Sequence, residues 1–221
     1  MLGNNATTSI SSPVQVTGGG SWTQVAIGST TTAAIKSDAT MWTWGANTDG
    51  ALGASLATAT VRSSPVAIGG NTWRSLSAGI MHFAATKTDN TLWVWGRNTN
   101  GQLGTNDILH RSSPVQVTGS YSLVHCGETA TAATKTDGTL WIWGAGGYGV
   151  MGNSATANRS SPVQLGTETN WTDIKISRDF VYAIRGGNLL TWGRNTNGQL
   201  GSNSVAHRSS PVQLATSVSY I

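Results

Sequence analysis

The segment YSLVHCGET, residues 121–129, places an imidazole, a thiol and a carboxylate within four positions, at His125, Cys126 and Glu128. A cysteine next to a histidine suggests a thiolate nucleophile, because the imidazole can take the thiol proton. The segment also reads as a strand. Neighbours on a strand point to opposite faces, so His125 cannot activate Cys126 there. His110 and His207 each precede an arginine at the same place in a longer pattern, as loop residues too far apart to share a metal ion. Arg62, Arg111, Arg159 and Arg208 stand directly ahead of Ser-Ser-Pro-Val. Such a row can bind anions; the favoured reading is structural, with each stem packed and each guanidinium on backbone carbonyls near a junction. Lys36, Lys87 and Lys135, each followed two residues on by Asp38, Asp89 and Asp137, read as solvated turn residues. There is no CxxC or phosphate-loop motif, and the many glycines fall in strand-ending turns,. The expectation is a protein that is not an enzyme and holds no cofactor and no metal.

The elements that must carry these residues are strands. Only 10% of the 221 residues are charged, where roughly 25% is usual. Ser, Thr, Asn and 28 Gly take their place, a balance poor in helix formers and rich in strand and turn formers. Net charge is +4, yet the basic residues are scattered without a run or tail, so no specific nucleic-acid partner is expected. No apolar run reaches the roughly 18 residues of a membrane span. The opening MLGNNATTSI lacks the features of a signal peptide,, which points to the cytoplasm. The sparsely charged, Thr/Asn/Gly-rich composition instead suits a secreted or virion protein.

Three markers repeat with one period near 49. Ser-Ser-Pro-Val recurs with its proline at Pro13, Pro65, Pro114, Pro162 and Pro211. Trp-Gly recurs at Trp44, Trp95, Trp143 and Trp192, and Leu/Met-Gly at Leu2, Leu52, Leu103, Met151 and Leu200. Trp95–Gly104, WGRNTNGQLG, returns unchanged as Trp192–Gly201. One period reads as four strands: Ser12–Val16, Trp22–Gly28, Thr31–Asp38 and Thr40–Asn47, with the Trp-Gly phrase ending the fourth. Trp42 and Trp44, Trp93 and Trp95, Trp141 and Trp143 are spaced by two and share a face, while the residues between them are mostly apolar,. A strand apolar on both faces must be covered on both, as in sheets stacked around an axis. In the fourth copy Leu190 replaces the first tryptophan, and Gly186 the aspartate of a shorter turn.

The unit SSPVQV…W…G…AAIK-D-TLW-WG-N-NGQLG resembles the RCC1 repeat, from Leu2 to Ile221. The resemblance implies an all-β, RCC1-like β-propeller of four-stranded antiparallel blades. Residues 1–221 are read as one repeat domain, partial or open, with about four to five blades and a half-repeat at each end. Of the Gly-x-x-His turns common in that family only His82 remains, with Thr31, Ala130 and Phe180 in the other copies. Propellers of this kind serve as exchange factors, chromatin readers, secreted inhibitors and surface proteins, so the fold does not fix the function.

Residues that differ between copies are the candidates for function. The turn after the Trp22–Gly28 strand and its counterparts reads Ser29-Thr30, Ile80-Met81, Glu128-Thr129 and Arg178-Asp179. Divergent loops on a rigid scaffold make a binding rim, with Ile80 and Met81 expected as its exposed apolar anchor. The reading is a non-catalytic protein-interaction or structural module at a surface, in a phage virion or tail or in a secreted protein. Its partners are other proteins, including copies of itself joined through open sheet edges. The alternatives are an intracellular exchange factor or chromatin regulator, and a partial propeller completed by another subunit.

Overall fold

The computed structural model describes residues 2–214. Its sixteen strands form four antiparallel sheets of four, each taken in chain order. Blade 1 holds β1 (Trp22–Ile27), β2 (Thr31–Lys36), β3 (Met41–Ala46) and β4 (Val61–Ile68). Blade 2 holds β5 (Trp73–Ala78), β6 (His82–Lys87), β7 (Leu92–Gly96) and β8 (Arg111–Val117). Blade 3 holds β9 (Tyr121–Cys126), β10 (Ala130–Lys135), β11 (Leu140–Gly144) and β12 (Arg159–Leu165), and blade 4 holds β13 (Trp171–Ile176), β14 (Phe180–Arg185), β15 (Asn188–Gly193) and β16 (Arg208–Gln213).

This grouping shifts the expected unit by one strand. The Ser-Ser-Pro-Val strand pairs with the Trp-Gly strand upstream, as in Leu92↔Val117 and Val94↔Val115, so it closes a blade instead of opening one. The Trp-Gly phrase therefore ends the third strand of its blade. Ser12–Val16, expected as a strand, is not one. In every other copy that strand leans on the Trp-Gly strand before it.

The core lies between blades. Ala33 and Ile35 of blade 1 pack with Trp73, Phe83 and Trp95 of blade 2. Ala84, Leu92 and Val94 pack with Val124, Cys126 and Trp143 of blade 3. Ala132, Leu140 and Ile142 pack with Ile174, Ile176 and Trp192 of blade 4. The second tryptophan of each phrase anchors this stack. Trp95, Trp143 and Trp192 are fully buried, and their indole N–H groups donate backwards to Ala51 O (3.1 Å), Gln102 O (2.9 Å) and Val150 O (2.8 Å) of the preceding blade. Each such ring buries about 200 Å², on the order of 5 kcal/mol of gross transfer energy. The closing glycine of the preceding loop makes room: a Cβ on Gly104, at φ +71, would sit 2.7 Å from Trp143 Nε1.

The asparagine of the phrase builds the loop that follows. Asn98 is buried; its Oδ1 accepts from Leu103 N at 2.9 Å, and its Nδ2 donates to Asp107 O at 3.0 Å. Asn47 and Asn195 repeat the arrangement on Leu52 and Leu200. Leu2–Asn5 acts on blade 1 as the loops after the Trp-Gly strands of blades 1 to 3 act on blades 2 to 4. Gly3 lies against Trp44, and Asn5 N donates to Ser63 O at 3.0 Å, as Ser55 N does to Ser112 O and Asn106 N to Ser160 O.

Candidate interaction rim

The first strands of successive blades touch in series, β1 against β5, β5 against β9 and β9 against β13. The loops that leave them therefore converge. Ser29 N donates to Ile80 O at 2.8 Å, and Ile80 N donates to Glu128 O at 3.3 Å, so three loops are tied by main-chain bonds from blade to blade. Between blades 3 and 4 a side-chain link appears, with Arg178 Nε 3.7 Å from Glu128 Oε2. Arg178 lies equally far from Asp179 Oδ2, which also takes Arg194 Nη1 at 3.2 Å. The loops share a shallow cavity of about 290 Å³ whose lining includes Ile27, Ala78, Ile80, Glu128, Ile176 and Ser177.

The expected rim residues thus fall into two groups. Ile80 and Glu128 line the cavity, and Arg178, beside Asp179, reaches Glu128 from blade 4 without lining it. Met81 and Thr129 do not enter its lining; their carbonyls accept from Arg97 N and Ala145 N and hold each loop to its own blade. The expectation that Ile80 and Met81 are exposed is corrected, for both are half-buried. The tight approach of the neighbouring loop covers Ile80, while Ile27, not singled out from the sequence, is 71% exposed and supplies the open apolar surface. Only its alternation on β1 signalled it.

The residues with catalytic chemistry are held apart. The Cys126 backbone N–H donates to Ser77 Oγ at 2.9 Å on blade 2, whereas His125 Nδ1 accepts from Ile176 N at 3.2 Å on blade 4. The two side chains face opposite neighbours, as strand alternation requires. Burial pushes the Cys126 thiol up to about 12, so the thiolate is scarce at neutral pH. His110 and His207 serve their loops: their Nδ1 atoms accept from Asn98 N (3.0 Å) and Asn195 N (2.9 Å).

The arginine row is corrected as well. Arg111 pairs with Asp107 at 2.5 Å, while Arg62, Arg159 and Arg208 are exposed, and among the described residues none of the four guanidinium groups donates to a backbone carbonyl. The Lys-x-Asp turns are more than solvated. Lys36, Lys87 and Lys135 sit over Trp42, Trp93 and Trp141 at 4.5, 4.2 and 3.6 Å from the ring centroids, a cation–π contact. The paired aspartates accept from Thr40, Thr91 and Thr139, whose hydroxyls hold the carboxyls below the usual carboxylate range. The same hydroxyls accept from those tryptophans.

A comparison with curated proteins finds no match. Solved structures share the fold: human WBSCR16 at 23% identity and TM-score 0.78, over 89% of this chain and 54% of its own. Yeast RCC1 (Prp20) bound to Kap60 aligns at 18% identity and TM-score 0.78, over 92% of this chain and 50% of its own. Prp20p from Saccharomyces cerevisiae, described with its binding properties to Gsp1p and histones, aligns at 18% and 0.75, over 88% and 50%. The chain spans about half the length of each. Regulator of chromosome condensation (RCC1) repeats match residues 89–134, 137–184 and 186–220, with a second model of the same repeat at 22–51 and 73–102. These matches take in most of the sequence, and the four-bladed stack agrees with them: the chain belongs to the RCC1 repeat family.

Proposed function

We propose that this chain is a non-catalytic protein-binding module whose contact surface is the rim around Ile27, Ile80, Glu128 and Arg178. The observation that carries this is the tying of variable side chains to a fixed frame. Main-chain bonds hold the loops of blades 1 to 3 in register, while their side chains run from apolar Ile27 and Ile80 to charged Glu128 and Arg178. A preorganised patch with an apolar centre and a charged edge suits protein recognition, because little ordering cost is left to offset. The distinct orientations of His125 and Cys126 support the non-catalytic part. Among fold relatives, yeast RCC1 has been solved with a protein partner bound. The sparsely charged, Thr/Asn-rich composition supports a setting at a surface, in a virion or outside the cell.

Site-specific photo-cross-linking tests the rim. A photoreactive residue at Ile80 should capture a protein partner that one at Gln116 on the outer strand β8 does not, and Arg178→Glu should weaken that capture at least about tenfold. Equal capture from both sites, or none from Ile80, overturns the assignment. Co-sedimentation with virions or recovery in the medium, against retention in the cytosol, tests the setting.

A further inference from the structure

Each of the three interior junctions is closed by small residues at two matched places. The first is the glycine that ends the first strand. A Cβ on Gly28 would meet Ile80 O at 2.9 Å, one on Gly79 would meet Gly127 O at 2.4 Å, and one on Gly127 would meet Ser177 O at 2.3 Å. The second is the alanine in the middle of the second strand, Ala33, Ala84 or Ala132, buried to 0% and paired across the sheet with Ala26, Ser77 or His125. Blade 4 breaks both rules on the face pointing away from blade 3. Ser177 stands where the others have glycine, and Tyr182, paired with Lys175, stands where the others have alanine. Phe180 and Tyr182 are half-buried and edge-to-face at 6.0 Å, Ile184 and Leu189 are 37% and 42% exposed, and Lys175 pairs with Asp173 at 3.2 Å. At the spacing of the interior junctions Ser177 would strike a neighbouring carbonyl and the tyrosine ring would fill the space of the facing strand.

We propose that this face of blade 4 docks a second copy of the chain, sheet face against sheet face about a two-fold axis. Two observations choose this occupant. The face is self-complementary: Asp173 and Lys175 lie two residues apart on β13, so rotation by 180° can set each lysine against the partner's aspartate around an aromatic centre. A head-to-tail joint onto blade 1 is disfavoured, because Leu2–Asn5 already sits against Trp44 and Ser63, where the incoming Gly201–Asn203 loop would have to lie. This docking surface is independent of the rim.

Sedimentation of the chain over a concentration series reads the association directly. The wild type should form a dimer, Lys175→Glu should raise its dissociation constant at least about tenfold, and the swapped Asp173→Lys/Lys175→Glu pair should restore it. The swap also restores the pair within the chain, so the urea midpoint of Lys175→Glu at low concentration should stay that of the wild type while its association is lost; a midpoint that falls with the association overturns the docking role of the pair. Should Lys175→Glu fail to fold, Ile184→Cys provides the second measurement, since a two-fold pair of faces gives a disulfide-linked dimer under mild oxidation. A wild type that stays monomeric, or a dimer indifferent to these charges and unlinked through position 184, overturns the proposal.

Discussion

At the scale of single residues, the stack converts familiar reactive groups into structural ones, and His82 shows how. It is fully buried, and its Nε2 lies 3.0 Å from Thr131 Oγ1 on the next blade. That hydroxyl donates to Gln102 O at 2.7 Å, so it accepts from His82, which places the proton on Nε2. The other ring nitrogen, Nδ1, has no partner among the described residues. Burial lowers the imidazole from its ordinary 6.5 to about 3, because a charged ring would lose its water without gaining an anion. The folded state thus binds fewer protons than the unfolded one. The stability contributed by the neutral ring is fully present above pH 6.5 and is lost as pH falls from 6.5 towards 3, by about 1.4 kcal/mol per unit. Between pH 6.5 and 5 the wild type should lose about 2 kcal/mol more than His82→Asn, measured by urea denaturation. Parallel pH profiles for the two proteins would show that the ring is not held neutral in the fold.

At the scale of elements, the junction glycines yield a paired prediction. Gly127→Ala places a methyl 2.3 Å from Ser177 O, a main-chain atom that cannot swing aside. Overpacking of this kind typically costs about 1–3 kcal/mol. Ser177→Gly, at the matching position of blade 4, should change stability by less than about 1 kcal/mol. Equal losses would mean that the glycine serves the turn instead of the approach of the next blade. The same positions show what could be read beforehand. The period, the strand content and the shared face of Trp93 and Trp95 were legible because each depends on local spacing. The grouping into blades was not, since the Ser-Ser-Pro-Val strand takes its partner across a loop of varying length, and spacing alone allows either neighbour. The partial cover of Ile80 and Met81 escaped for a related reason: it is set by a loop about 49 residues away. Lys87 over Trp93 and Asp89 beneath Thr91 lie close in sequence, yet a charged turn reads as solvated until the indole edge is seen to be exposed on that side.

At the scale of the whole molecule, the core is a series of junctions, and a blade's stability depends on how many it shares. Blades 2 and 3 are covered on both faces by packed neighbours, whereas Val25 and Ile27 of blade 1 are 63% and 71% exposed and the far face of blade 4 carries Ile184 and Leu189. Repeats that touch only their neighbours behave as a chain of nearest-neighbour terms, and local opening starts where those terms are fewest. Amide exchange should therefore be slowest in β6, β7, β10 and β11, and faster in β1, β13 and β14. Trp143→Ala, which empties the junction between blades 2 and 3, should cost about 3–5 kcal/mol and speed exchange on both sides of it. Trp192→Ala should speed exchange mainly in blade 4 and leave β6 protected. Concentration separates the two origins of protection at the far face. When the protein is dilute, blade 4 packs on blade 3 alone among the described residues; if a second copy docks there, raising the concentration slows exchange in β13 and β14 without altering β1. Uniform exchange across all sixteen strands at every concentration would show that the blades open as one unit, and that the junctions, however separate in space, are not the units in which this fold comes apart.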